Sequence, residues 1–205
     1  MNVNQAPEAA ITIPSFHLYD IVRFAFAEGA SNAHAIASAD ILAEEKLAKL
    51  CATCPSHGFS PSCPPHVSGP SGFRELQKQL PWAVAIRLVV PLSALFSFEK
   101  QDLGRFLHEL TAGIEIYAVG MGYKASRAFA GGSCKSIFCR DHSDCQRLTG
   151  GACRHPEHAR PSMSGFGIDV VDLMEKCGWP SNLGCLNTAA GGESMSWLAG
   201  LVLIG

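Results

Sequence analysis

The chain has 205 residues, 47% of them apolar and 17% charged, with a formal net charge of -2. This composition suits one globular core and is too apolar for a disordered chain. It excludes the basic footprint that nucleic acid needs, and the absence of a run of like charge argues against attraction to a membrane surface.

The first fifteen residues carry no Lys or Arg and no apolar h-region, so they do not read as a signal peptide. Segment 1–15 is expected to be a flexible N-terminus, and 16–205 a single cysteine-rich metal-binding domain. Segment 16–28 places Leu18, Ile21, Val22 and Ala25 at helical spacing and ends at Gly29, a C′ residue. A short strand is expected at 34–39. A helix is expected at 43–50, with Glu45 and Lys49 as an i,i+4 pair. Segment 51–72 holds Pro55, Gly58, Pro61, Pro64, Pro65, Gly69, Pro70 and Gly72, and reads as one long loop. Loops of that length inside a domain tend to be functional.

A short helix at 73–79 leads to the best strand, 82–90, whose apolar run broken only by Arg87 predicts burial on both faces. Segment 98–119 is a long amphipathic helix with Leu103, Phe106, Leu107, Leu110, Ile114 and Tyr117 on one side. Further expectations are a strand at 125–130, an irregular segment at 134–161, a helix at 168–176 with Asp169 in its first turn, and a strand at 197–204. That last stretch is the most apolar in the chain, yet far short of the roughly 20 residues that span a bilayer. The expected fold is α/β: a single domain with a small mixed sheet, helices and two long cysteine-bearing loops. The expected location is the cytoplasm.

Nine cysteines are the informative feature. In a reducing compartment, an odd number at short spacings favours metal binding or redox chemistry over a disulfide framework. Cys51, Cys54 and Cys63 form one group, with Pro55, Pro64 and Pro65 stiffening the loop. Cys134, Cys139, Cys145 and Cys153 form another. Cys177, beside Trp179, and Cys185 read as small buried hydrophobes. Thiolates are soft ligands for iron–sulfur clusters, zinc and Cu(I). One Cys-x2-Cys followed by irregular gaps, with prolines after the cysteines, fits an iron–sulfur cluster (4Fe-4S) better than the paired layout of structural zinc.

The second group can supply four thiolates, whereas the first has three. The first therefore borrows a ligand or leaves one iron open. His57, His66 and His142 are possible additional ligands. An electron-transfer or redox role implies a redox partner protein or a metalloenzyme. Two alternatives stay open: a zinc-stapled interaction module, and a thiol oxidoreductase using Cys51 and Cys54.

The chain resembles a prokaryotic family of cysteine-rich predicted metal-binding proteins, a domain of unknown function. The resemblance is carried by Cys51-x2-Cys54, Cys63-Pro64-Pro65 and Gly132-Ser133-Cys134. It continues through the run Cys153-Arg154-His155-Pro156-Glu157-His158-Ala159-Arg160-Pro161-Ser162-Met163 and Gly167-Ile168-Asp169-Val170. The resemblance implies metal binding as iron–sulfur clusters in redox or cofactor metabolism, with no settled reaction. Within it, Arg154 and Arg160 are expected beside the metal centre, where positive charge raises the reduction potential of an anionic cluster.

Overall fold

A computed structural model describes residues 13–182 and 194–205, in which helices alternate with the strands of one four-stranded sheet. Cys185 and most of the expected N-terminal segment 1–15 lie outside those residues. Helix α1 (Ser15–Ala27) buries Leu18, Ile21 and Ala25. It ends before Gly29, whose φ of 103° is one that glycine adopts at C′ without strain. Strand β1 (Asn32–Ala37) and the short helix α2 (Glu45–Lys49) follow. Glu45 pairs with Arg74 at 3.3 Å rather than along its own helix. Helix α3 (Gly69–Gln79) begins four residues earlier than expected, because Pro70 sits in the first turn, where its missing N–H costs nothing.

Strand β2 (Trp82–Pro91) is buried on both faces, as its apolar run requires. Val84, Ile86 and Leu88 meet Ile21 of α1 and Leu107, Leu110 and Ile114 of helix α4 (Glu99–Gly120). Ala83 and Ala85 face the opposite core with Phe73, Met163, Phe166 and Leu173. Arg87 interrupts the run at modest cost. Its guanidinium donates to Asn32 Oδ1 at 2.9 Å and to the Pro180 carbonyl at 3.0 Å, and lies over the Trp179 ring.

The sheet order is β1-β2-β4-β3, with β3 spanning Arg127–Phe129 and β4 Met195–Ile204. All three pairings are antiparallel, so the sheet is antiparallel rather than mixed. The β2–α4–β3 unit does yield two strands running the same way, as a helical crossover should. Strand β4 then inserts between them, pairing Trp82 with Ile204 on one side and Arg127 with Leu203 on the other. Gly200 of β4 permits the close approach of α4, since a Cβ there would stand 2.4 Å from Thr111 Cγ2.

Helix α5 (Cys134–Phe138) stands inside the segment expected to be irregular. In helix α6 (Val170–Lys176), Asp169 is the N-cap rather than a first-turn residue, and its side chain accepts the Asp172 N–H at 3.1 Å. Among the described residues no helix is long and apolar enough to cross a membrane.

Candidate metal centre

The chain leaves β3 at Ala130 and returns beside it thirty residues later. The Ala130 N–H donates to the Pro161 carbonyl at 2.9 Å, and the Met163 N–H donates back to Ala130 at 3.0 Å. These two bonds close the neck of the second cysteine segment. Inside it, Cys134, Cys139, Cys145 and Cys153 line one cavity of about 230 Å³. Cys134 opens α5, Cys139 follows its last residue, Cys145 precedes a 3₁₀ turn, and Cys153 follows the glycines of that turn. Lys135 ties the loop together by donating to the Cys139 and His142 carbonyls.

Charge around this cavity is predominantly positive, with Lys135, Arg147, Arg154 and Arg160 in its wall. Arg154 donates to the Asp144 carbonyl at 3.1 Å. Arg160 is held by Glu115 at 2.7 Å, so its charge is largely answered, while its stem still borders the cysteines. Burial pushes the Cys134 thiol above the ordinary thiol range. The Ser62 and Ser60 hydroxyls pull it back, and the neighbouring Cys145 and Cys153 push it up further.

The first group lies nearer the surface. Cys51 sits in a 3₁₀ turn continuing from α2, and the Cys54 N–H donates to its carbonyl at 3.1 Å. Burial raises the Cys51 pKa, and the nearby Cys54 and Cys63 raise it further. Cys63 is buried and Cys54 exposed. Cys51 and Cys54 border a cavity of about 370 Å³ with Leu47, Ile168, Val170 and Val171. Two sulfurs already receive backbone donors from two residues downstream: Ser56 N–H to Cys54 Sγ at 3.5 Å, and His155 N–H to Cys153 Sγ at 3.4 Å.

The histidines distribute unevenly. His66 Nε2 contacts the Gly58 carbonyl at 3.2 Å, His57 is half-buried, and His142 is exposed and does not line the four-cysteine cavity. His155 does line it and stacks on Phe138. Cys177 is buried in the core between α6 and the sheet, with its pKa pushed up to about 11 by burial. Among the described residues no three Cys, His, Asp or Glu side chains converge closely enough to hold a single ion.

Three features have no signal in sequence pattern. The buried hydroxyls of Ser60, Ser62 and Ser133 form a chain, with Ser60–Ser62 at 2.8 Å and Ser60–Ser133 at 3.2 Å. Ser62 also accepts the Cys134 N–H at 3.3 Å, and its carbonyl accepts the Ser162 N–H at 2.8 Å. His108 of α4 is fully buried against Phe138, and its Nδ1 accepts the Arg160 N–H at 3.2 Å. Burial lowers its pKa to about 4. Backbone groups of His158 and Gly131 offset this only in part, since Nε2 has no well-formed hydrogen bond.

A family model described as predicted metal-binding protein (DUF2284) matches residues 34–204. The chain belongs to this family. The match contains all seven clustered cysteines, and with them both loops that the serines join. No curated protein and no solved structure matches the chain. The donor set itself fits a thiophilic metal group: four thiols around one cavity, Cys51 and Cys54 at another, N–H donors on two sulfurs, and cations in the wall of the first.

Proposed function

We propose that the protein is an iron–sulfur protein of electron transfer or redox metabolism, with Cys134, Cys139, Cys145 and Cys153 holding a 4Fe-4S cluster. The carrying observation is that these four thiols, spread over twenty residues of irregular chain, line one cavity walled by Lys135, Arg147, Arg154 and Arg160. Cys51, Cys54 and Cys63 hold a second group, with one position left for His57, His66 or an outside ligand.

Such a group supplies one-electron storage. The chain's own residues do the rest. Cysteines bind, the Ser56 and His155 N–H groups donate to sulfur, and the cationic wall answers negative charge. Structural zinc favours two short-spaced ligand pairs, whereas here one Cys-x2-Cys is followed by irregular gaps. Burial and like charge raise the Cys51 pKa, the reverse of what a reactive dithiol needs. Exposed Cys54, with Leu50 and Phe59 exposed in the same stretch, offers a redox partner protein an apolar approach to the first group.

The test is iron and acid-labile sulfide per chain in Cys63→Ala and Cys153→Ala, purified without oxygen. Each variant loses one cluster's share and keeps the other. Full content in Cys153→Ala would contradict the assignment of the second group, and full content in Cys63→Ala that of the first.

A further inference from the structure

Helix α5 and the residues flanking it separate two cavities. Cys134, Lys135, Phe138 and Cys139 line the four-cysteine cavity, whereas Ser133, Ser136, Ile137 and Arg140 line another, of about 560 Å³. The two sets interleave at the helical period, so one short helix presents a face to each. The second cavity has the size of a small-molecule site, and none of the clustered cysteines lines it.

Its depth is apolar. Leu107 of α4 is fully buried there, with Ile137 and Leu198 in the same wall. Gly104, Gly131 and Gly132 add no side chain, and a Cβ at Gly104 would stand 3.2 Å from Ile137 Cδ1. Phe98 lines the rim with its ring 87% exposed. Lys100 stands two turns before Leu107 on α4, about 10 Å along the axis, so charge and apolar floor are separated.

The charge at the Lys100 end has one sign. Next to Lys100, Gln101 Oε1 accepts from Arg140 at 3.3 Å, while Gln101 Nε2 donates to the Ile137 carbonyl at 3.0 Å. The amide thus holds the guanidinium at the cavity. Among the described residues no Asp or Glu lines the wall, and neither Lys100 nor Arg140 forms an ion pair. Glu99 lies outside the wall, its carboxylate 3.2 Å from the Ser97 hydroxyl. Two cations beside an apolar pocket suit a ligand whose head answers the charge and whose body takes apolar wall out of water.

We propose that this cavity binds a small organic anion, its carboxylate or phosphate head at Lys100 and Arg140 and its apolar body against Phe98, Leu107, Ile137 and Leu198. The site stands apart from the iron–sulfur reading, because no cysteine lines it. Its occupant lies against the outer face of the helix whose inner face carries Cys134 and Cys139, one short helix away from the candidate metal centre.

The experiment is isothermal titration calorimetry of the anaerobically purified full chain with 2-naphthoate, 2-naphthyl phosphate and the uncharged 2-naphthamide. At least one anion should bind about tenfold more tightly than the amide, and the tighter anion identifies the head. Lys100→Gln combined with Arg140→Gln should weaken that anion about tenfold and leave the amide unchanged. Phe98→Ala should weaken anion and amide alike, and Arg23→Gln, on α1 and outside the cavity wall, should change neither. The replaced side chains are all exposed, so fold and iron content should stay as in the wild type. The site is overturned if neither anion binds at millimolar concentration, if the amide matches both, or if the paired Gln variant keeps wild-type affinity. Iron content of the same samples separates the two proposals. An iron-loaded chain that binds no anion overturns this site alone, and an iron-free chain that binds one overturns only the metal reading.

Discussion

Arg160 Nε lies 2.7 Å from Glu115 Oε2, with only 11% and 15% of the two side chains exposed. The other Glu115 oxygen accepts the Ala128 N–H at 2.8 Å, so a single carboxylate fastens β3 and the wall of the cysteine cavity to α4. Breaking such a pair from one side leaves a buried charge without its partner. Arg160→Ala should therefore cost about 3 kcal/mol in denaturant unfolding. Arg160→Met combined with Glu115→Gln should cost clearly less than the single change. Equal losses in both would mean that the pair does not carry the effect.

Metal uptake should strengthen as pH rises. Cys51 and Cys134 both have thiol pKa values pushed above the ordinary range, chiefly by burial, so the metal-free chain keeps these protons through neutral pH. A bound metal must displace them, and each proton released contributes up to about tenfold in affinity per pH unit. Loading of the reduced protein with iron or cobalt, followed by thiolate-to-metal absorption between pH 6 and 9, measures this slope. A flat profile would contradict the burial of these two thiols.

His108 should make the protein acid-sensitive. Its pKa falls from 6.5 to about 4 on folding, so the native state favours the neutral ring. The sign follows: the full contribution is present above pH 6.5 and is lost as pH falls through about 4. For a fully buried ring this amounts to something on the order of 3 kcal/mol. His108→Gln should remove that part of the pH dependence, seen as a difference between variant and wild-type unfolding free energies across this window. Parallel curves would place the acid sensitivity elsewhere.

Cys177 is a control. It is buried among Leu173, Met174 and Trp179, apart from both cysteine groups. Cys177→Ala should leave metal content unchanged and cost less than about 2 kcal/mol, since only one sulfur atom leaves the core. Loss of metal in this variant would place a ligand where the fold shows a core residue.

Much of this arrangement is legible in the sequence because local chemistry dictates it. A run such as 82–90 tolerates burial on both faces, and the cysteines of Pro- and Gly-rich loops have no core to join. What escapes the sequence depends on chain path. Strand β4 enters between β2 and β3 from the far end of the chain, which turns an expected mixed sheet antiparallel. Loop routing exposes His142 and brings His155 to the cavity wall, although both lie near cysteines in sequence. Ser62 and Cys134 meet across seventy residues of chain, and nothing in the spacing of hydroxyl residues announces it. Helix α5, five residues long, is too short to show a period.

The most direct test of the central claim is the visible absorption spectrum, with iron, zinc and sulfide analysis, of the full chain purified without oxygen. The account predicts a coloured protein with iron and sulfide in similar amounts and a broad band that bleaches on reduction. A colourless protein holding stoichiometric zinc and no sulfide would contradict it and make the cysteine loops a zinc-stapled module.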